Sequence, residues 1–299
     1  MGDVSKSKKP NDGMRKKKIA LVLSSGGARG LVHIGVIEEL LAEGYEITSI
    51  AGCSMGALIG GIYATGRLHE FREWMKTIDR RRMLELSDLS LSINHVVKGE
   101  RIIEAIKEIV PDTRIEQLPI PFCAVSTDWK SGREVVFRSG SLFDAIRASI
   151  SLPSFFEPVQ HDGMILVDGG VINPFPLNRV KRTGNDLLVG VDVSGHDYQG
   201  QIELQQVLNA KRKRDRSWSH TLLNKLIPDH IEFNYYTLLS RSSSLMIRQN
   251  SKLMVELTHP DVLIDIQLNR YTTFDFDKSE KLIAIGRNHT RKALHQISE

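Results

Sequence analysis

The sequence lacks the features that mark secreted and membrane-spanning proteins. It has only two cysteines in 299 residues, Cys53 and Cys123, which are too few for a disulfide framework, so we expect a reducing, cytoplasmic compartment. No apolar run approaches the roughly 20 residues that a transmembrane helix needs. Residues 1–17 are polar and rich in lysine, so we expect no signal peptide in them. These absences favour a globular protein of the cell interior.

Signatures of metal and nucleic-acid binding are also missing. There is no H-E-x-x-H pair and no Cys/His cluster of ligand spacing, so we expect neither a metal nor another cofactor. Aromatic residues make up 6% of the chain and do not interleave the basic clusters Arg80–Arg82 and Lys211–Arg216, so we expect no nucleic-acid partner. A run of charges usually forms a solvated surface. Peripheral contact with anionic lipid headgroups through the basic segments is the second interpretation.

The remaining composition is that of an ordinary globular protein, with 41% hydrophobic and 25% charged residues and a formal net charge of +4. The length suits one large α/β domain, or one domain with an appendage. We predict a disordered basic arm over residues 1–17 and the main α/β domain over residues 18–200. Residues 201–299 are expected to form a mostly helical extension packed on that core.

The first hundred residues alternate buried strands with helices. An apolar run at Lys18–Leu23 predicts a strand, and the helix after it ends at Gly44. A second strand, Ile47–Ala51, leads directly into a helix of small residues, Met55–Ala64. This βαβα order predicts a parallel sheet with right-handed crossovers.

Ser54 occupies the corner between the second strand and its helix, in the pattern Gly-x-Ser-x-Gly. The flanking glycines, Gly52 and Gly56, remove side chains that would clash where the backbone reverses. The helix begins just after the serine, so unpaired N–H groups and the positive end of the helix dipole lie beside its oxygen. The corner therefore predicts a nucleophilic hydroxyl; the alternative is a tight turn with an inert serine.

A glycine-rich loop follows the first strand and contains Gly26, Gly27, Arg29 and Gly30. Closely spaced glycines let backbone N–H groups converge on an anion, either a phosphate or a developing oxyanion. Dinucleotide binding is disfavoured because Ser25 occupies the first position of G-x-G-x-x-G and no acidic residue ends the second strand. A purely structural turn is the remaining alternative.

A candidate base follows a later buried strand, in Asp168-Gly169-Gly170. Carboxylates at the carboxyl ends of parallel strands lie where α/β sites form. A partly dehydrated aspartate can accept the Ser54 proton without a histidine. His196 and His259 are the alternative partners in a histidine triad, whereas His33 is expected to brace the glycine loop.

Taken in order, these motifs resemble those of the patatin-like phospholipase family. The resemblance rests on three motifs within residues 18–195: Ser-Gly-Gly-Ala-Arg-Gly-x-x-His-Ile-Gly from Ser25, Gly-Cys-Ser-Met-Gly around Ser54, and Asp-Gly-Gly from Asp168. The resemblance implies a three-layer α/β/α fold with a mainly parallel sheet and a Ser–Asp dyad. It implies Ser54 as nucleophile and Asp168 as base, with an oxyanion loop formed by Gly26, Gly27, Arg29 and Gly30. Ser25 departs from the family's first loop glycine.

The resemblance further implies a lipid or acyl-ester substrate, hydrolysed as by a phospholipase A through an acyl-Ser54 intermediate. An acyl thioesterase or acyltransferase on the same dyad is one alternative, and a non-catalytic lipid-binding protein is the other. The apolar segments Leu89–Ile93 and Ile150–Phe156 could line an acyl groove, although such segments more often belong to the core.

Overall fold

The structure is a computed structural model that describes residues 17–86, 99–153, 155–194, 235–268 and 270–298. Strands within these ranges are β1 (Lys17–Leu23), β2 (Tyr45–Cys53), β3 (Phe122–Asp128), β4 (Arg133–Phe137), β5 (Val159–His161), β6 (Met164–Asp168), β7 (Leu187–Asp192) and β8 (Val262–Asp265). Helices within them are α1 (Val32–Ala42), α2 (Met55–Ala64), α3 (Leu68–Lys76), α4 (Arg80–Leu86), α5 (Glu100–Lys107), α6 (Leu142–Ser149), α7 (Tyr235–Thr258) and α8 (Ser279–Ser298).

The strands form one mixed sheet in the order β5-β6-β3-β2-β1-β7-β8, with β4 also paired to β3. The strands from β3 through β2, β1 and β7 to β8 run parallel. Strands β4, β5 and β6 add antiparallel pairs at the other side. The carboxyl ends of β1 and β2 therefore lie side by side, which brings the glycine loop next to the Ser54 corner.

Strand β1 is buried on both faces, as its continuous apolar run predicted. Leu21 and Leu23 belong to the larger core, which also contains apolar residues of α1, α2, α3, α5, α6 and α8. Ala20 and Val22 belong to a smaller core, against which Met254 of α7 packs. Because successive strand residues point to opposite faces, helices cover both faces, and the predicted three-layer α/β/α fold is confirmed.

The end of the chain is joined to the same sheet. Strand β8 pairs in parallel with β7, and α8 packs closely on α1. A Cβ atom on Gly35 would lie 1.9 Å from the Ile283 carbonyl oxygen, and one on Gly286 would lie 2.1 Å from that of Val32, so glycine is required on both helices. The C-terminal helix is present as predicted, whereas the proposed domain boundary at residue 200 stays a prediction.

Several sequence predictions concern residues outside the described ranges. These are most of the basic arm, the segment Leu89–Ile93, the cluster Lys211–Arg216 and His196. Of the cluster that opens α4, Arg81 and Arg82 both pair with Glu85, at 3.2 and 3.4 Å, as expected of a solvated helix face. Among the described residues, no helix combines the length and apolarity needed to cross a bilayer.

Candidate functional site

Ser54 lies at a strained corner between β2 and α2. Its backbone angles are φ 53° and ψ −121°, a region that costs a residue with a side chain about 1–3 kcal/mol. A Cβ atom on Gly52 would lie 2.4 Å from the Gly56 carbonyl oxygen, and one on Gly56 would lie 2.2 Å from that of Leu23. The glycines on both sides are therefore required by close backbone contacts, as the sequence pattern predicted.

Asp168 ends β6 and is brought to Ser54 by strand pairing. Its strand runs antiparallel to β3, with Asp168 opposite Ser126, so the expectation that Asp168 ends a parallel strand was wrong. The carboxylate reaches the corner because β3 is the neighbour of β2. The Ser54 hydroxyl lies near enough to the Asp168 carboxylate to lower its pKa by hydrogen bonding. The carboxylate accepts a hydrogen bond from the Gly170 amide, at 2.7 Å. The structure thus brings the two predicted residues, 114 positions apart by their numbers, to the same site.

Burial sets the proton affinity of Asp168, which is only 2% exposed. Loss of solvent raises the pKa of its carboxyl group to about 6, although the hydrogen bonds from Ser54, Gly170 and Cys53 act in the opposite direction. The Cys53 thiol lies 3.8 Å from the carboxylate. A carboxylate with a pKa near 6 is ionised at neutral pH and accepts a proton more readily than an exposed aspartate does.

The glycine loop lies against the same corner. The Ser25 amide donates to the Pro174 carbonyl at 2.8 Å, and the Ala28 amide donates to the Thr273 carbonyl at 2.9 Å, which anchors the loop on both sides of Gly26 and Gly27. Gly27 has φ 56°, and a Cβ there would lie 2.1 Å from Thr273. The loop conformation therefore requires glycine at this position.

Three further members of the loop region have identifiable roles in its structure. Arg29 donates from Nε to the Gly26 carbonyl at 3.3 Å. Gly30 does not line the cavity, and its Cβ would lie 2.4 Å from Met55, so a close contact accounts for this glycine. His33 lies 3.0 Å from the Ser24 carbonyl through Nε2, and burial lowers its pKa to about 4. His33 is thus a neutral brace beneath the loop, as expected.

A cavity of about 350 Å³ opens beside Ser54 and Asp168. Its polar end also includes Ser25, Gly26, Gly27 and Arg29. Part of its wall consists of apolar side chains from α3, α4, α5 and the loop after α3: Phe71, Trp74, Met75, Ile78, Met83, Leu86, Ile102 and Ile106. The segment Ile150–Phe156 also lines it, as predicted, through Ile150, Leu152, Pro153, Phe155 and Phe156. Three partly exposed apolar residues, Val171, Met246 and Phe274, also line it. The arrangement can hold an apolar chain with its polar end against Ser54.

Other chemistry has less support at this site. In the described ranges, no three His, Cys, Asp or Glu side chains are grouped so as to hold a metal ion. His259, one predicted triad alternative, is exposed and does not line the cavity. The arrangement suits proton transfer from a hydroxyl to a carboxylate beside backbone donors.

Sequence reasoning missed Ser149, whose hydroxyl accepts a hydrogen bond from the Ser54 amide at 2.9 Å. Ser149 ends α6 and lies 95 positions from Ser54 along the chain. No motif links the two segments, because their contact arises only when α6 packs on β3. Ser149 follows Arg147 and Ala148 at the end of α6, and nothing in that sequence identifies a partner.

Comparison with known proteins shows which family this chain resembles. The profile described as patatin-like phospholipase matches residues 21–180, more than half of the 299-residue chain. An uncharacterized NTE family protein of Mycobacterium bovis is 45% identical over 185 residues, which cover 62% of this chain and 51% of the relative. Lysophospholipase NTE1 of Saccharomyces cerevisiae is 27% identical over 281 residues, which cover 91% of this chain and 16% of the relative.

The chain therefore spans about half the length of the first relative and a small part of the second. Among solved structures, VipD from Legionella pneumophila matches with a TM-score of 0.45 at 14% identity, covering 94% of this chain and 67% of VipD. The matched residues 21–180 include the glycine loop, the Ser54 corner and the Asp168 turn. The chain belongs to the patatin-like phospholipase family.

Proposed function

We propose that this protein is a lipid acyl hydrolase of phospholipase A type, in which Ser54 is the nucleophile and Asp168 the general base. The observation that carries the proposal is the contact between a hydroxyl at a strained corner and a buried carboxylate, at the polar end of an apolar cavity. Family membership supports lipid hydrolysis in general, and the name of the yeast relative, Lysophospholipase NTE1, agrees with it.

In the first half-reaction, the Ser54 oxygen attacks the ester carbonyl carbon while its proton passes to Asp168. The carbonyl oxygen becomes an oxyanion beside the loop containing Gly26 and Gly27, whose backbone donors would each contribute about 3–4 kcal/mol. The C–O bond to the alcohol then breaks, and the proton on Asp168 passes to the leaving oxygen. The product is an acyl-Ser54 ester.

In the second half-reaction, Asp168 accepts a proton from water as the water oxygen attacks the acyl carbonyl carbon. The bond to the Ser54 oxygen breaks and the proton returns to that oxygen, which releases a fatty acid and restores the resting pair. Since the pKa of Asp168 is raised to about 6, the carboxylate can accept and return a proton near neutral pH.

A covalent label tests this assignment. We expect a fluorophosphonate probe to modify Ser54, identified by mass spectrometry of the labelled peptide, in parallel with fatty-acid release from a panel of phospholipids and lysophospholipids. The labelling rate should rise through a midpoint near pH 6 and level off above it, because Asp168 must be ionised to accept the proton. A label on another residue, or a rate without this inflection, would contradict the proposed pair.

The apolar walls of the cavity support an acyl chain as the group bound there. In α3 and the loop after it, Phe71, Trp74, Met75 and Ile78 recur at the spacing of one helix face, and all four line the cavity. Phe71 and Ile106 are each only 1% exposed, so the walls extend into the protein. An enclosed apolar space favours an apolar ligand over water, and the acyl group of the ester fits that requirement.

Two neighbouring isoleucines of α5 allow a matched test of the acyl site. Ile106 lines the cavity, whereas Ile103 is also buried but does not line it. We expect Ile106→Phe to lower kcat/KM for p-nitrophenyl palmitate at least about tenfold, with butyrate changed less than about threefold, because the ring occupies space that only the long chain needs.

The control variant, Ile103→Phe, should alter both esters equally. It inserts a ring into packed core and is expected to lose about 1–3 kcal/mol of stability. Equal effects of Ile106→Phe on the two esters would place the acyl chain elsewhere.

A further inference from the structure

Ser149 makes two hydrogen bonds from a fully buried position at the end of α6. Its Oγ donates to the Val125 carbonyl of β3 at 2.6 Å and accepts from the Ser54 amide at 2.9 Å. One hydroxyl thus connects the central sheet to the backbone of the strained corner. A buried amide or carbonyl left without a partner is costly, so both bonds favour one position of the Ser54 backbone.

The segment that contains Ser149, residues 148–151, also holds the backbone of Asp168. The Asp168 amide donates to the Ser151 carbonyl at 2.9 Å. Ser126 links this segment to β6, because its hydroxyl lies 2.6 Å from the Val167 carbonyl and 3.3 Å from that of Ala148. Residues 148–151 therefore contact the backbone of both members of the proposed pair and set how far apart they lie.

We propose that Ser149 is a positioning residue for the hydrolysis. Its hydroxyl holds the Ser54 backbone so that the Ser54 side chain points at Asp168, and it touches no reacting atom itself. This inference rests on the proposed function, since it assigns a role within that reaction. A positive φ at Ser54 makes the corner prone to relax when this bond is removed.

The variant Ser149→Ala removes the acceptor for the Ser54 amide. We expect kcat to fall about 10- to 100-fold, since a displacement of about 1 Å in an active site can cost this much, while KM changes less than about threefold. The acid limb of the pH–rate profile should move to higher pH. The reason is that the Ser54 hydroxyl lowers the pKa of Asp168, and a displaced hydroxyl does so less.

Ser49→Ala is the matched control. Ser49 is equally buried and its hydroxyl donates to the Lys181 carbonyl, but it has no contact with the corner amide. This variant should lose some stability yet keep the wild-type kcat and pH profile. Ser149→Cys has a weak sulfur acceptor of similar size, so its kcat should lie between those of wild type and Ser149→Ala. This variant replaces Ser149→Ala in the test if the alanine variant does not fold.

The outcomes separate this inference from the proposed function. An unchanged kcat and pH profile in a folded Ser149→Ala or Ser149→Cys protein would overturn the positioning role, provided that Ser54→Ala and Asp168→Asn are inactive. So would a loss in Ser49→Ala that equals the loss in Ser149→Ala. Retained hydrolysis in Ser54→Ala would instead refute the proposed function.

Discussion

Replacing Ser54 with alanine is expected to lower kcat for a lipid ester by about 10⁴-fold or more, because no other group at the site takes over as nucleophile. The variant keeps the backbone and the cavity, so KM measured on any residual activity should change little. Hydrolysis of p-nitrophenyl butyrate and of a lysophospholipid should be lost together. Fluorophosphonate labelling should be lost with them.

Ser54→Gly separates the loss of the hydroxyl from the strain of the corner. It should be as inactive as Ser54→Ala, but it should unfold at a higher temperature than the alanine variant. Glycine adopts φ 53° without the penalty of about 1–3 kcal/mol that a Cβ incurs there. Ser251→Ala, which removes a buried hydroxyl on α7 outside the cavity, should retain activity. Activity in Ser54→Ala within about tenfold of wild type would refute the nucleophile.

The corner was predictable because its requirements are local. The end of a buried strand, the start of a helix and two glycines lie within the nine residues from Ile50 to Leu58. The close contacts of Gly52 and Gly56 are those that the pattern implies. Asp168 was predictable by a different route. Its strand end and the two glycines after it were visible, but its contact with Ser54 required knowing that β6 runs beside β3.

Part of the cavity wall was predicted, since Ile150–Phe156 was a candidate for the acyl groove and its apolar residues line the cavity. The walls from α3, α4 and α5 could not be predicted, because an apolar helix face has the same sequence pattern whether it meets packed core or empty space. Ile103 and Ile106 illustrate this, since both are buried isoleucines on α5 and only one lines the cavity. Ser149 could not be predicted for a related reason: its two partners come from β3 and from the corner, and a single sequence contains no signal for that meeting. The roles of these residues stay predictions.

Asp168→Asn is expected to lower kcat by about 10³- to 10⁴-fold, because asparagine cannot accept the Ser54 proton. The amide is nearly isosteric, and its oxygen can still accept from the Gly170 amide, so the fold should be retained. Asp192→Asn is the matched control. Asp192 ends the parallel strand β7, its pKa is also raised by burial, and it does not line the cavity, so this variant should keep its activity.

The same substitution should stabilise the protein at neutral pH. Burial raises the pKa of Asp168 from 3.8 to about 6, so the native state binds a proton between these values that the unfolded state has lost. Wild-type stability attributable to Asp168 is therefore fully present below about pH 4 and falls as pH rises to about 6. Asparagine does not titrate, so the variant's advantage in the free energy of unfolding should grow across this window and then level off at about 1–3 kcal/mol.

Denaturant unfolding of both proteins at a series of pH values measures this difference. An inactive variant whose stability relative to wild type rises across the window shows that the aspartate is retained at the expense of folding free energy, as expected of a base that must be ionised in a buried site. An inactive variant that is instead less stable at every pH would mean that Asp168 serves mainly to hold the turn at Gly170. An active variant would exclude Asp168 as the base and would favour a histidine in that role.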